Sequence, residues 1–446
     1  MKIIADTLPG ISMPDAEYEA LTNAVLTPEN LFHAAAQSGQ NCFLTGAGGT
    51  GKSTQLRAFI AEVLADRHHP RRVDVTAPTG VAALNVGGMT IHRFTGMMLG
   101  PEPGQPFAEY FDHLNRDPRR SIRKGFQRVR DCEVLVIDEV SMLPGRQLDF
   151  VDFLFKRLRG CDQPFGGCQV IVTGDFLQLP PVRKSEVEPY DWAFQSRAWQ
   201  AAGFRTFLLE KVRRQDEPAF VRALADFRVG RVWGDTARIL QSRVRSNPPS
   251  TMPRLFTHNV QVDKWNAFQL GELPGEEMIF TAIESGPEAH LDYLKKNLLT
   301  PAILQLKPGA LVMFTVNLNV KERREPVFVN GQIGKVERLD SANVWVRTVG
   351  DELIPVERFN WMYDPRDPAT AVFSQFPLRL AWAMTIHKAQ GLTLDSAYLD
   401  IRAAREPGQA YVAVSRVRTL AGLQFKDWFK GVHVSPEAIE FYQGLN

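Results

Sequence analysis

A glycine-rich run followed by lysine and serine is the strongest chemical pattern in this sequence. Residues 46–53 read Gly-Ala-Gly-Gly-Thr-Gly-Lys-Ser, after the apolar run 42–45 and before the helix-like segment 54–65. Glycines let backbone N–H groups approach phosphate oxygens, and the N-terminus of the following helix adds partial positive charge. The pattern predicts a nucleoside triphosphate site in which Lys52 contacts the β- and γ-phosphates and Ser53 binds Mg²⁺. The predicted nucleotide contacts in this run are Gly48, Gly49, Thr50, Gly51, Lys52, Ser53 and Thr54.

Polar side chains follow two further apolar runs. Residues 133–137 end in Asp138 and Glu139, and residues 169–173 lead to Gln178. Open α/β sheets bind ligands at the carboxyl ends of their strands. We therefore expect Asp138 to bind Mg²⁺, Glu139 to orient the attacking water and Gln178 to bond the γ-phosphate or that water. For the acid pair alone, a helix N-terminus stabilised by carboxylates is the alternative.

Two arginines later in the chain are candidates to stabilise the transferring phosphoryl group. Arg214 lies in a Val-Arg-Arg-Gln segment, and Arg416 follows Val-Ala-Val-Ser. Each could instead form a surface salt bridge. If both belong to a second domain, ATP lies in the cleft between domains, and hydrolysis opens and closes that cleft. The sequence has no Asn-Lys-x-Asp tetrad, which argues against a GTPase.

Composition limits the class of protein that carries these residues. The 446 residues exceed the roughly 250–300 that one hydrophobic core supports, and 44% hydrophobic with 23% charged residues excludes a disordered or fibrous chain. A net charge of +2 leaves nucleic-acid binding to a local surface. The four cysteines form no Cys-x-x-Cys pair, so neither a zinc site nor a disulfide framework is indicated. Without a signal peptide or membrane span, the sequence predicts a cytoplasmic protein.

The spacing of short apolar runs predicts the elements that position the site. Residues 1–195 are predicted to form a first α/β domain with an insertion at about 98–130. Residues 196–305 and 366–446 are predicted to form a second, with apolar runs at 206–209, 254–258, 378–384 and 396–401. Residues 306–365 are predicted to be a small antiparallel β-barrel inserted in the second domain, with a tight turn at Asn330 and Gly331. Between residues 116 and 130, seven cations face one acid, and this stretch is predicted to be irregular.

Seven segments occur in the order found in superfamily 1B DNA helicases. The chain resembles the petite integration frequency (PIF-one-like) family most closely, through GAGGTGKST from Gly46, APTGVAALNVGGMTIHRF from Ala77, VIDEVSML from Val136, TGDFLQLPPV from Thr173, VRRQ from Val212, LAWAMTIHKAQGLTLD from Leu380 and GQAYVAVSRVRTLAGL from Gly408. The resemblance implies two RecA-like P-loop motor domains that use ATP and Mg²⁺. It also implies a monomer that moves 5′ to 3′ on single-stranded DNA and unwinds duplexes at single-strand/duplex junctions, or guanine quadruplexes.

The same resemblance implies a set of contacts to the DNA strand and to the nucleotide. The implied DNA contacts are Thr79, Gly80, Thr90, His92, Phe94, Asn330, Gly331, Thr385, His387 and Lys388. Hydroxyls, cations and aromatic faces suit sequence-tolerant binding of a single strand. The histidines could instead be hydrogen-bonded core residues, and Phe94 could be packing. Gly391 is an implied nucleotide contact. The family usually carries a glutamine that reads adenine where this chain has Asn30, so Asn30, Gln37 or Gln40 would take that role.

Two other functions fit the same residues. One is a RecD-like motor subunit of a nuclease complex. The other is a nucleotide-switched protein that clamps or translocates on single strands without unwinding them. Unwinding requires a wedge because opening a base-pair step costs about 1.4 kcal/mol. The insertion at 98–130 is a candidate for that wedge, and a solvated basic loop is the alternative.

Overall fold

The computed structural model describes residues 27–66, 71–183, 185, 187–249, 252–318, 327–363, 370–428 and 431–445. Over these residues the chain is an α/β fold with two parallel sheets, of six and four strands, and three antiparallel sheets, of five, three and two strands. The first sheet is parallel throughout, in the order β3-β2-β4-β5-β1-β6. Its strands are β1 (Cys42–Gly46), β2 (Val73–Ala77), β3 (Met89–Thr90), β4 (Val134–Ile137), β5 (Gln169–Gly174) and β6 (Arg205–Leu209).

Helices cover both faces of the first sheet, which explains why β1, β4 and β5 are continuous apolar runs. The helices of the described chain are α1 (Pro28–Gln37), α2 (Lys52–Ala65), α3 (Gly80–Asn85), α4 (Ile91–Thr95), α5 (Phe107–Arg116), α6 (Arg120–Asp131), α7 (Gly145–Arg159), α8 (Arg197–Ala202), α9 (Pro218–Arg228), α10 (Gly234–Gln241), α11 (Asn259–Glu272), α12 (Glu288–Asn297), α13 (Ile386–Ala389), α14 (Gln409–Ser415) and α15 (Pro436–Gln443). Within the described residues, none of these helices is both long and apolar enough to span a bilayer.

A second parallel sheet and the antiparallel sheets make up most of the later half of the chain. The remaining strands are β7 (Arg254–Phe256), β8 (Met278–Thr281), β9 (Ile283–Ser285), β10 (Ile303–Leu306), β11 (Leu311–Phe314), β12 (Ile333–Leu339), β13 (Val344–Thr348), β14 (Leu353–Val356), β15 (Phe359–Met362), β16 (Val372–Gln375), β17 (Leu378–Leu380), β18 (Ala383–Thr385), β19 (Ala397–Leu399) and β20 (Leu423–Phe425). The second parallel sheet has the order β18-β7-β19-β20, and β14-β13-β12-β11-β17 is the largest antiparallel sheet.

The predicted continuous strand at 378–384 is wrong, because the chain changes sheets within it. Leu378–Leu380 pairs antiparallel with β11, whereas Ala383–Thr385 pairs parallel with β7. The buried Trp382 lies between the two strands. The last strand of this antiparallel sheet, β17, therefore comes from a segment after the predicted insertion at 306–365. Closure of this sheet into a barrel stays a prediction.

The predicted boundary at residue 195 is also wrong for two segments. Strand β6, predicted for the second domain, pairs in parallel with β1 at the edge of the first sheet. Its Phe207 and Leu209 are buried in the same hydrophobic cluster as Phe32 of α1. The C-terminal helix α15 returns to the first sheet, where the Phe441 ring packs 4.5 Å from that of Phe194. Residues distant in sequence complete the first core.

The basic stretch after residue 116 was predicted to be irregular, and this prediction is wrong because the stretch contains helix α6. This helix is amphipathic: Ile122, Phe126 and Val129 are buried in the first core. The cations Arg119, Arg120, Arg123, Lys124 and Arg130 are exposed. The apolar positions recur with helical spacing, so the sequence pattern indicates this helix. The high density of charged residues between them makes the pattern hard to recognise.

Candidate functional site

The glycine-rich loop lies between β1 and α2, as its sequence predicts. Gly49 and Gly51 adopt positive φ angles of 85° and 97°, which favour glycine. Lys52 begins α2, and its Nζ donates hydrogen bonds to the carbonyl oxygens of Gly46 at 2.7 Å and Ala47 at 3.0 Å. A cavity of about 560 Å³ opens at this loop. Of the predicted nucleotide and catalytic residues, the cavity is lined by Gly48, Gly49, Gly51, Lys52, Ser53, Thr54, Glu139, Gln178, Arg214, Gly391 and Arg416.

The two acids follow β4 at the same edge of the sheet. Asp138 is buried, and its Oδ1 accepts hydrogen bonds from the Thr173 hydroxyl and from the Glu139 N–H at 2.9 Å. Glu139 has a φ of 52°, a strained value for a residue with a side chain. Burial and the neighbouring Asp138 raise the pKa of Glu139 to about 7. Glu139 therefore titrates near neutral pH, as a general base requires.

The oxygen atoms at this edge fit a hard divalent cation. The Ser53 hydroxyl and the carboxyl groups of Asp138 and Glu139 line one cavity. Glu139 Oε2 is buried and has no hydrogen-bond partner among the described residues. Burial also raises the pKa of Asp138, which a bound cation would reverse. Oxygen ligands of this kind suit Mg²⁺.

A buried ion pair that the sequence analysis missed positions Gln178. Asp175, at the end of β5, is fully buried and accepts hydrogen bonds from Arg228 Nη2 at 2.7 Å and Nε at 3.1 Å. Its Oδ2 also accepts from Gln178 Nε2 at 3.2 Å. Burial opposes the charge of Asp175, but the ion pair and hydrogen bonds with Arg228 outweigh it and lower the pKa. Asp175 thus orients Gln178 and ties β5 to α9.

The two predicted arginines converge on the glycine-rich loop. Arg416 follows α14, and a Cβ atom on Gly48 would lie 3.0 Å from its Nη2. Arg214 Nε donates to Thr393 Oγ1 at 3.0 Å, and its Nη1 donates to the Ser415 carbonyl at 3.0 Å. Burial lowers the pKa of both guanidinium groups, that of Arg214 to about 9, and their mutual repulsion adds to the effect on Arg214. Two poorly neutralised cations therefore face the phosphate-binding loop.

Helix α14 also contacts the loop directly. The Gly48 N–H donates a hydrogen bond to the Tyr411 hydroxyl at 2.9 Å. Tyr411 is buried, and no local sequence pattern indicated this role for it. Residues 409–415 form a short apolar helix next to Arg416. The hydrogen bond from Gly48 therefore holds the arginine-bearing segment against the loop.

A groove runs from the nucleotide cavity to several predicted DNA contacts. Thr79, Asn330 and His387 line a cavity of about 420 Å³ together with Ser53 and Glu139. The Thr79, Thr90 and Thr385 hydroxyls each accept a hydrogen bond of 3.3 Å from a backbone N–H, and so cap α3, α4 and α13. Gly331 has a φ of 93°, as the predicted turn requires. Helix α3, helix α13 and the turn at Asn330 thus meet beside the nucleotide cavity, whereas Thr90, the cap of α4, lines neither cavity.

The structure places four other predicted DNA contacts away from open solvent. Phe94 is fully buried with its ring stacked on Phe155, so the prediction that this ring faces DNA is wrong. Gly80 is buried, and a Cβ atom there would overlap the Asn297 side chain. His92 is half-buried, and burial lowers its pKa, so the imidazole is neutral at neutral pH. Lys388 is half-buried as well, and burial and the nearby Arg379 lower its pKa.

Two predicted nucleotide contacts lie off the cavity wall. Thr50 is buried, and its hydroxyl donates to the Ala47 carbonyl at 2.9 Å, which stabilises the loop. Asn30 is exposed in the first turn of α1. The neighbouring Glu29 pairs with Arg213 at 3.0 Å, and Arg213 lines the cavity. Helix α1 is thereby linked to the cavity, and an adenine contact by Asn30 stays a prediction.

Comparisons with known proteins agree with this geometry. The family model described as PIF1-like helicase matches residues 27–226. The ATP-dependent DNA helicase Pif1 of Bdellovibrio bacteriovorus is 36% identical over 412 residues, which cover 91% of this chain and 89% of the relative. The ATP-dependent DNA helicase PIF1 of Homo sapiens is also 36% identical, but the match covers 92% of this chain and 62% of that longer protein.

Solved structures show the same relationship in three dimensions. A crystal structure of Pif1 helicase from Candida albicans superposes with a TM-score of 0.73 at 34% identity, covering 94% of this chain and 99% of that one. Pif1 from a Bacteroides species in complex with ADP-AlF4 gives a TM-score of 0.78 at 29% identity, covering 94% and 96%. Sequence identity over nearly the whole chain and a shared fold together establish that this chain belongs to the PIF1-like helicase family.

Proposed function

We propose that this chain is an ATP-dependent DNA helicase, a DNA-stimulated ATP hydrolase with two RecA-like P-loop domains. The observation that carries the proposal is the convergence of Arg214 and Arg416 on the cavity that contains Lys52 and Glu139. Arginines placed at a transferring phosphoryl group stabilise the charge on its oxygens. Because Arg416 follows a helix of the later α/β region, the occupant of the cavity would control how the two regions are held together.

The side chains divide the work of hydrolysis. Lys52 exchanges its carbonyl acceptors for phosphate oxygens, and Arg214 and Arg416 gain the counter-charge that they lack. Glu139 accepts the proton of the attacking water, which Gln178 orients from its bond to Asp175. Ser53 and Asp138 would hold Mg²⁺, which neutralises phosphate charge. Loss of the terminal phosphate then removes the anion that attracts the two arginines.

The groove that joins Thr79, Asn330 and His387 to the nucleotide cavity supports a path for single-stranded DNA. Among family structures, one is of Bacteroides Pif1 bound to ssDNA, and another concerns unwinding at forked dsDNA by two coordinating Pif1 helicases. Movement from 5′ to 3′, action on guanine quadruplexes and a monomeric state remain proposals from the resemblance, and a cytoplasmic location remains a proposal from the sequence. A small β-barrel beside this path, built on β11 to β14, belongs to the same proposal.

Strand separation on matched substrates tests the proposal. Duplexes with a 5′ or a 3′ single-stranded tail are mixed with the protein and either ATP or GTP. We expect ATP-dependent unwinding of the 5′-tailed duplex only. ATP turnover stimulated by single-stranded DNA without unwinding would favour the translocase. Turnover that ignores DNA would contradict the helicase. Recovery of stoichiometric nuclease partners from the host would favour a RecD-like subunit.

The pH dependence of hydrolysis tests the assignment of Glu139. Its pKa is raised to about 7, and a general base acts only when deprotonated. We therefore expect kcat/KM for ATP to fall about tenfold per pH unit as the pH drops below 7 and to level off above it. Glu139→Gln should lower kcat by about 10²–10⁴-fold and abolish this acidic limb. An unchanged acidic limb in the variant would contradict the assignment.

Charge reversal on α6 tests whether this helix contacts duplex DNA. Arg119, Arg120 and Arg123 are exposed and are replaced together by glutamate. If each contacts a phosphate, the slope of log affinity against log salt should fall by roughly 0.9 per contact on forked DNA. Unwinding should slow, while ATPase activity stimulated by single-stranded DNA stays unchanged. Arg238→Glu on α10 is the control, because its side chain is 81% exposed. If unwinding and its salt dependence stay unchanged, the cations of α6 are solvated and do not contact DNA.

A further inference from the structure

A third cavity lies between helix α3 and the antiparallel part of the chain. It measures about 250 Å³ and is lined by the side chains of Asn85, Thr315, Asn317, Asn330, Phe359 and Trp361. We refer to it as the asparagine pocket. Its volume is below the roughly 300–1,000 Å³ of sites for drug-sized ligands, so a single ring system is the appropriate size of occupant.

The three asparagines leave unused hydrogen-bonding groups at the pocket. Asn330 Nδ2 donates to Asn85 Oδ1 at 3.0 Å, and the Asn330 N–H donates to Asn317 Oδ1 at 2.7 Å. Asn330 Oδ1 is buried and lacks a partner among the described residues. Over the same residues, the side-chain N–H groups of Asn85 and Asn317 are not used by this network. The pocket therefore presents both donors and an acceptor.

The rest of the wall is apolar, partly aromatic and partly aliphatic, with the aliphatic side chains of Val81, Leu84, Leu298, Leu299 and Val316. The rings of Phe359 and Trp361 lie 4.9 Å apart at 63°, and Trp361 is 8% exposed. On the opposite side, Gly80 at the start of α3 packs so closely on Asn297 that a Cβ atom would not fit. An apolar aromatic surface beside amide groups is suited to a flat heterocycle with polar edges.

The pocket is continuous with the proposed DNA path. Asn85, Asn317 and Asn330 also line the groove that extends to Ser53 and Glu139. We propose that the asparagine pocket receives one unstacked nucleobase of the bound single strand. The amides bond the base edge, and the aromatic wall contacts its apolar surface. The Watson–Crick edge of every base carries both donors and acceptors, so amide groups of both kinds accept any base. This inference rests on the proposed function, because it requires a strand in the groove.

Binding to oligonucleotides with one abasic site at successive positions tests the proposal. The full chain should lose affinity by about tenfold at one position and little elsewhere, since an abasic site removes a base but keeps its phosphates. Asn85→Ala on α3 and Asn317→Ala after β11 alter walls built by different elements, and each should abolish the position-specific loss. Asn247→Ala should retain it, because Asn247 is exposed and lines none of the cavities described above. Thermal melting verifies that each variant is folded, and the use of two walls guards against local unfolding.

The outcomes separate this inference from the proposed function. Equal affinity for every abasic oligonucleotide would overturn the assignment of the asparagine pocket to a nucleobase and would leave the proposed helicase function standing. Failure to bind any oligonucleotide would overturn both. Free adenosine supplies a base without a strand, and we expect no binding at millimolar concentration. Adenosine binding that disappears in Asn317→Ala would identify a site for free nucleosides and overturn the assignment to the strand.

Discussion

Replacing Arg416 with alanine is expected to lower kcat for ATP hydrolysis by about 10³–10⁵-fold while affinity for single-stranded DNA stays unchanged. The guanidinium group is buried beside the glycine-rich loop, and its hydrogen bonds within the described part of the chain go to its own segment, from Nε to Val412 O and from Nη2 to Ser415 Oγ. It is therefore available for the phosphoryl oxygens. Single-turnover hydrolysis with saturating oligonucleotide measures the effect, and fluorescence anisotropy measures DNA binding.

A second variant tests the same arginine without removing it. Gly48→Ala places a Cβ atom 3.0 Å from Arg416 Nη2 and 3.2 Å from Ser415 Oγ, which displaces the guanidinium group. Because these neighbours need to move by only a few tenths of an ångström, we expect a loss in rate smaller than the roughly 10²-fold that a misplacement of about 1 Å costs. If Arg416→Ala hydrolyses ATP normally, the arginine does not contact the phosphates, and the central observation of the proposed function loses its meaning.

Replacing Lys52 with alanine is expected to lower DNA-stimulated ATP turnover by at least about 10²–10³-fold. Burial lowers the pKa of Lys52, although the charges of Asp175 and Glu139 raise it in part. Because burial disfavours the charged ammonium group, an incoming anion stabilises it. The oligonucleotide affinity should stay within a few-fold of that of the unaltered protein, since Lys52 lies on the nucleotide side of the groove. Steady-state ATPase assays and anisotropy titrations measure the two quantities in parallel.

Lys156→Ala is the matched control for that experiment. Lys156 pairs with Asp152 at 2.7 Å within α7 and lines none of the cavities described above. Asp152 is buried and keeps the hydrogen bond from the Phe165 N–H in this variant, so we expect a loss of stability at most, with turnover per folded molecule unaffected. Retained turnover in Lys52→Ala would remove the assignment of the glycine-rich loop, whereas loss of turnover in both lysine variants would indicate general instability.

Local sequence patterns were sufficient for the parts of the site that one short segment builds. The loop at 46–53 combines the glycines that its backbone angles require with the lysine that begins α2. Asp138 and Glu139 follow a strand that is apolar because both of its faces are covered. In each case the chemistry and the geometry lie within about ten residues, so periodicity and composition predict them together.

Patterns were insufficient where partners come from distant segments. The role of Asp175 depends on Arg228, which is 53 positions away in sequence, and that of Tyr411 depends on Gly48. Phe94 was expected to contact DNA because its motif suggested a channel, yet the first core encloses its ring. A single sequence does not reveal which aromatic side chains face solvent when both environments accept them.

The sequence therefore predicted the α/β character, the glycine-rich loop and the acids and arginines that the fold brings near this loop. Tertiary structure alone decided that β6 and α15 complete the first core, that residues 378–385 divide between two sheets, and that the arginines reach the loop. Hydrophobic periodicity specifies which face of an element is buried, but it carries no information about which distant element covers that face. That choice depends on complementary packing across the whole chain.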